Sequence, residues 1–175
     1  MEKKTKNIML ILAAAGLSVI IYIFLHEIGH LVVMLSVGAT ITDFSILTAH
    51  VSAIGGKYTN VSNLWLHVNG ALLPMITVFT YSAFYKSNRE KPFYRIFSYM
   101  FVLIPTASML AWVFVPVLYL NDNAPIGDDV TMFLSNFTQY FHPLSVSVVA
   151  AVMVGSSIAL MIKKQIIQNF ATEVR

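Results

Sequence analysis

His26 and His30 stand four residues apart, with Glu27 beside the first, in the run His26-Glu27-Ile28-Gly29-His30. Positions i and i+4 of a helix project from one face, so two imidazoles spaced this way can grip a single zinc ion. The glutamate between them falls beside the open coordination position, where it can take a proton from a water. Gly29 leaves the face between the ligands free of a side chain, which suits close approach of another helix or of a substrate. Two histidines do not complete a catalytic zinc site, which usually has three protein ligands and a water. The chain contains no cysteine, so the missing ligand must be His, Asp or Glu.

The surroundings of the motif give it weight. It lies inside an apolar run from about Ile8 to Val37, long enough to cross a bilayer. An ionisable residue there carries a cost of roughly 3 kcal/mol or more, so function is its default explanation. Of the 175 residues, 57% are hydrophobic and only 11% charged, far from the balance of a soluble globule. Spans are expected at about 8–37, 64–85, 96–120 and 143–162, within a single integral-membrane domain. The first is too long for a signal peptide and has no small-residue cleavage site before His26, so an uncleaved helix is expected.

Between the first two spans the pattern changes. Thr40-Ile41-Thr42-Asp43-Phe44-Ser45-Ile46 alternates polar and apolar residues, His50-Val51-Ser52-Ala53-Ile54 follows, and Gly55-Gly56 closes the segment. That period of two predicts a short hairpin, with Gly38 ending the helix before it. The expected fold class is an all-α membrane protein with about four transmembrane helices and a short β-hairpin-like loop after the first. A short helix is expected before the last span. Asn69, Gly70 and Pro74 in the second span, Pro105 and Pro116 in the third, and Gly155-Ser156-Ser157 in the fourth read as packing and kink positions.

Charge supplies a topology. Lys3, Lys4 and Lys6 precede the first span, Lys86, Arg89, Lys91 and Arg95 follow the second, and Lys163, Lys164 and Arg175 follow the fourth. Ten of the eleven basic residues thus fall on one side of a four-span chain, leaving only Lys57 on the other. The positive-inside rule makes that side cytoplasmic and puts both termini there. The basic balance therefore reports topology in a cell membrane and implies no nucleic-acid partner.

The third ligand must come from the face to which the zinc motif points. Candidates outside the basic loops are Asp43, His50, His67, Asp122, Asp128, Asp129 and His142. The third span ends on the same face as the first, so the segment from Asn121 to His142 is brought there in either orientation. Within it, Gly127-Asp128-Asp129-Val130-Thr131 reads as a capped helix start, where the helix dipole favours carboxylates. Two adjacent aspartates leave room for two roles, one capping the helix and one binding metal. His50, His67 and His142 receive no catalytic role. The first is expected as a polar loop residue, the second as facing the cavity or a neighbouring helix, and the third as interfacial.

His-Glu-x-Gly-His within a membrane helix resembles the site-2 protease family of intramembrane zinc metalloproteases, and its small bacterial branch in particular. The glycine after that helix, the β-like loop and the Gly- and Pro-bearing second span are similar as well. The resemblance covers most of the chain loosely and residues 26–30 closely. It implies hydrolysis of peptide bonds in or near transmembrane segments of substrate proteins. One zinc ion would be held by His26, His30 and an aspartate near the start of a later helix, with Glu27 as general base. Asp129 is the favoured match, since apolar residues follow it at helical spacing, and Asp128 is the alternative. Two departures are plain. Neither aspartate is followed by the glycine common in the family. His26 also lies roughly 28 Å along the helix from Asn7 at about 1.5 Å per residue, near the boundary opposite the basic loops, whereas the family's site commonly opens toward the cytosol.

The leading rival is a non-proteolytic membrane protein with a structural or metal-handling zinc site. Such sites usually use four protein ligands and need no glutamate at the second motif position. A proton or cation path would require further ionisable residues along the spans, which offer little besides His67.

Overall fold

A computed structural model describes residues 3–175, with side chains from residue 5 onward; the side chains of Lys3 and Lys4, counted in the topology reading, lie outside the described part. The elements run α1 (Lys3–Ser36), β1 (Ala39–Ser45), β2 (His50–Gly55), α2 (Asn60–Phe84), α3 (Pro92–Ser108), α4 (Leu110–Tyr119), α5 (Asp129–Phe137), α6 (Leu144–Lys163) and α7 (Ile166–Val174). Four helices are long and apolar enough to cross a membrane: Thr5–Ser36, Asn60–Phe84, Pro92–Tyr119 and Leu144–Lys163. Each boundary falls within four residues of the one read from the sequence. The third span is α3 and α4 together. They part at Ser108–Met109, just past Pro105.

The hairpin follows α1 directly. Gly38 adopts φ +79°, a left-handed conformation that ends the helix, and its N–H donates to the Leu35 carbonyl at 3.1 Å. β1 and β2 pair antiparallel from Ala39↔Gly55 to Ser45↔His50, with a bulge between Ile41 and Asp43. The chain reverses at Ile46–Ala49. Gly55 and Gly56 end the hairpin on its return toward α2, as the sequence pattern reads them. α2 begins in a reciprocal capping box between Thr59 and Ser62.

α1 packs on α2 and α3, α2 on α5, α4 on α6, and α7 beneath α3. Two apolar clusters hold the bundle. At the hairpin end, Val130, Phe133 and Leu134 of α5 pack with Ala71, Met75, Trp112, Val115 and Ala150. At the other end, Val78, Tyr85, Val102, Met161 and Ile166 form a smaller group. There α7 is tied down by polar contacts: Arg95 Nη1 donates to Glu173 Oε1 at 2.7 Å, and Asn7 Nδ2 donates to the Glu173 carbonyl at 2.7 Å. Lys164 Nζ donates to the Ala83 carbonyl at 2.7 Å. The described basic loops and the start of α1 thus gather at one end of the bundle, and residues 26–30 lie toward the other.

α1 crosses α2 at close range. Asn69 Nδ2 donates to the Gly29 carbonyl at 2.9 Å. A Cβ on Gly29 would overlap the Asn69 carbonyl, so the space left by this glycine is taken by the backbone of α2. Gly16, on the same helix, has nothing within 4 Å of such a Cβ. Gly29→Ala is therefore expected to destabilise the bundle by about 1–3 kcal/mol through overpacking. Gly16→Ala should cause no loss. Thermal melts in detergent check both, and equal melting of the two variants would contradict the crossing.

Candidate metal centre

His26 and His30 occupy successive turns of α1 and point toward the start of α5. Their Nε2 atoms lie 3.0 Å apart. Asp129 Oδ2 is 3.1 Å from His26 Nε2 and 3.2 Å from His30 Nε2. Three donor atoms from two helices far apart in sequence thus close a nearly equilateral triangle, and these residues form a group able to hold a metal ion. A tetrahedral zinc with ~2.05 Å bonds has ligand-to-ligand edges of about 3.3 Å. The observed edges are only slightly shorter, so the triangle has nearly the size of one face of such a site.

The supports fit the same chemistry. His30 Nδ1 lies 2.7 Å from the Leu66 carbonyl, which can only accept, so this nitrogen carries the hydrogen and Nε2 is left with its lone pair. His26 has no such support: its Nδ1 is buried without a partner among the described residues. Gly70 makes room for both rings. A Cβ there would stand 2.6 Å from His30 Nε2 and 2.9 Å from His26 Cε1, closer than real side chains approach.

α5 presents Asp129 through its own local structure. Gly127 at φ +80° turns the chain, and Asp128 caps the helix, its Oδ1 accepting from the Thr131 N–H at 2.6 Å. The apolar face of Val130, Phe133 and Leu134 then anchors the helix in the core. The two aspartates divide the roles that the sequence left open: Asp128 caps, and Asp129 joins the histidines. Burial alone would raise the pKa of Asp129. The imidazoles of His26, His30 and His67 around its two oxygens outweigh that effect and hold the carboxyl well below the usual carboxylate range.

Glu27 is only 4% exposed and lines the same open cavity, of about 510 Å³. Among the described residues no side chain pairs with it, so its carboxylate is free for a reacting group. The cavity wall is completed by Met34, by Ala49 of the hairpin turn with His50 and Val51 of β2, and by Leu66, His67, Gly127 and Asp128. His50 thus reaches the cavity, 3.9 Å from Asp43 across the hairpin. His142 stays away from it, its Nδ1 accepting from the Leu144 N–H at 3.3 Å near the start of α6. His67, given no role from sequence, contacts Asp129 directly at 3.1 Å. Elsewhere, a cavity of about 250 Å³ among α2, α4, α5 and α6 is lined by apolar side chains and Ser145 and contains no titratable group.

Elemental analysis of detergent-purified protein should find about one zinc per chain. The metal should be lost in His26→Ala, His30→Ala and Asp129→Ala and kept in Asp128→Asn, which retains a capping oxygen. Loss in Asp128→Asn with retention in Asp129→Ala would exchange the two assignments. In comparisons with known proteins, the chain matches no family model, no curated protein and no solved structure.

Proposed function

We propose that the protein is an intramembrane zinc metalloprotease, a zinc endopeptidase of the His-Glu-x-x-His type that hydrolyses peptide bonds in or near the transmembrane segments of membrane proteins. The observation that carries this reading is the convergence of His26 Nε2, His30 Nε2 and Asp129 Oδ2 beside the buried Glu27, which has no side-chain partner among the described residues. The resemblance of residues 26–30 to the site-2 protease family supports it. A structural zinc site, the main rival, would ordinarily add a fourth protein ligand and has no use for a free glutamate.

His26, His30 and Asp129 would hold the metal. When bound, zinc supplies a Lewis acid that polarises the scissile carbonyl and lowers the pKa of a water toward ~7. Glu27 takes the proton of the attacking water on its carboxylate and returns it to the nitrogen of the leaving amine. The substrate must be unwound locally, because a helical peptide bond is shielded by its own backbone. The hairpin beside the cavity offers backbone groups to which an extended chain can pair.

The same reading assigns the gathered basic end to the cytoplasm and both termini with it, following the positive-inside rule. The cavity then opens toward the opposite side of the membrane. Cleavage is expected near the extracytoplasmic end of the substrate segment.

Two experiments test these assignments. With single-span reporter proteins in vesicles, Glu27→Gln should lower the cleavage rate by about 10²–10⁴-fold while keeping its zinc. Zinc-loaded wild type that cleaves none of the panel, or a Glu27→Gln variant as fast as wild type, would remove the protease reading. Because the chain has no cysteine, single-cysteine labelling is clean. On intact cells a membrane-impermeant maleimide should label Leu47→Cys in the exposed hairpin turn and spare Lys91→Cys, and the reverse pattern inverts the topology.

A further inference from the structure

His67 is the one imidazole in contact with the cluster that a three-ligand site leaves without a task. Its Nδ1 stands 3.1 Å from Asp129 Oδ1, the carboxylate oxygen other than the one facing His26 and His30. A carboxylate only accepts, so Nδ1 carries the hydrogen and donates it. The side chain is 16% exposed, little enough for water to compete weakly with that bond.

An aspartate carboxylate rotates about its Cβ–Cγ bond, and an unrestrained one offers either oxygen, or both, to a metal. Among the described residues Asp129 is contacted by the side chains of His26, His30 and His67. With the first two facing Oδ2, His67 is the remaining restraint on the carboxylate plane. It is also well held itself. The flanking residues on α2 fasten to α1 on either side, Leu66 accepting from His30 and Asn69 donating to Gly29. The same short stretch of α2 therefore sets the orientation of a ligand on α1 and of a ligand on α5.

We propose that His67 is a positioning residue that locks the Asp129 carboxylate, so that Oδ2 alone is presented toward His26 and His30. The assignment rests on the reading of His26, His30 and Asp129 as metal ligands. Hydrogen-bond partners of this kind tune metal affinity by about 10- to 100-fold.

The test uses the full chain in detergent, with zinc affinity measured by chelator competition and the visible spectrum recorded after cobalt(II) substitution. His67→Ala is expected to weaken zinc binding by about 10- to 100-fold and to alter the cobalt spectrum. The melting temperature of the metal-free protein should stay near that of wild type. His67→Asn puts an amide N–H close to the position of Nδ1 and should recover most of the affinity and the wild-type spectrum. Wild-type affinity and spectrum in His67→Ala would overturn the assignment, as would an equal loss in both variants. Wild type that binds neither zinc nor cobalt fails at the level of the ligands themselves, and the role of His67 falls with them.

Discussion

The structure turns on how closely two backbones approach where α1 crosses α2. Gly29 on one helix faces the Asn69 backbone on the other, and Gly70 on α2 faces the two imidazoles of α1. In a membrane, helices gain little from hiding apolar surface, because the lipid is equally apolar. Close packing and interhelical hydrogen bonds must supply the association. Both are concentrated at this crossing, in the Asn69–Gly29 and His30–Leu66 contacts. The orientation of the face that carries His26 and His30 follows directly, since any wider separation would pull His30 away from the Leu66 carbonyl that fixes its tautomer.

The crossing also explains how a polar cluster is tolerated in an apolar bundle. Asp129 is partly buried, which disfavours its charge, yet three imidazoles surround its two oxygens. A buried carboxylate with this many partners costs far less than an isolated one. Glu27 differs, being more deeply buried and without a side-chain partner among the described residues. Polar groups within membrane spans usually face a cavity or a partner, and Glu27 lines the cavity beside the cluster.

Much of this was legible in the sequence because it is local. The pairing of His26 with His30 depends on a spacing of four, the spans on composition, and the hairpin on an alternation of two, all readable within windows of a few to some twenty residues. The helix before the last span was marked by Gly127, Asp128 and the apolar residues after them. What local pattern left open was every relation between distant residues. Which aspartate caps and which turns inward depends on where α5 meets α2, and Asp128 and Asp129 differ by only one position. His67 lies 62 residues from Asp129 in sequence. Nothing near it distinguishes a histidine that bonds a neighbouring helix from one that supports a carboxylate. The docking of α7 through Glu173 spans still greater separations, 78 residues to Arg95 and 166 to Asn7.

The length of α1 has a consequence for the membrane itself. Its 34 residues extend about 51 Å at ~1.5 Å each, against a hydrocarbon thickness of ~30 Å. A helix this much longer than the bilayer leans or extends beyond it, and the lean varies with lipid chain length. Because α1 and α2 are locked at their glycines and α5 is packed on α2, the helices that carry the cluster follow that lean together. Any lean of α1 therefore carries the cluster as a unit, and the spacing of His26, His30 and Asp129 stays fixed.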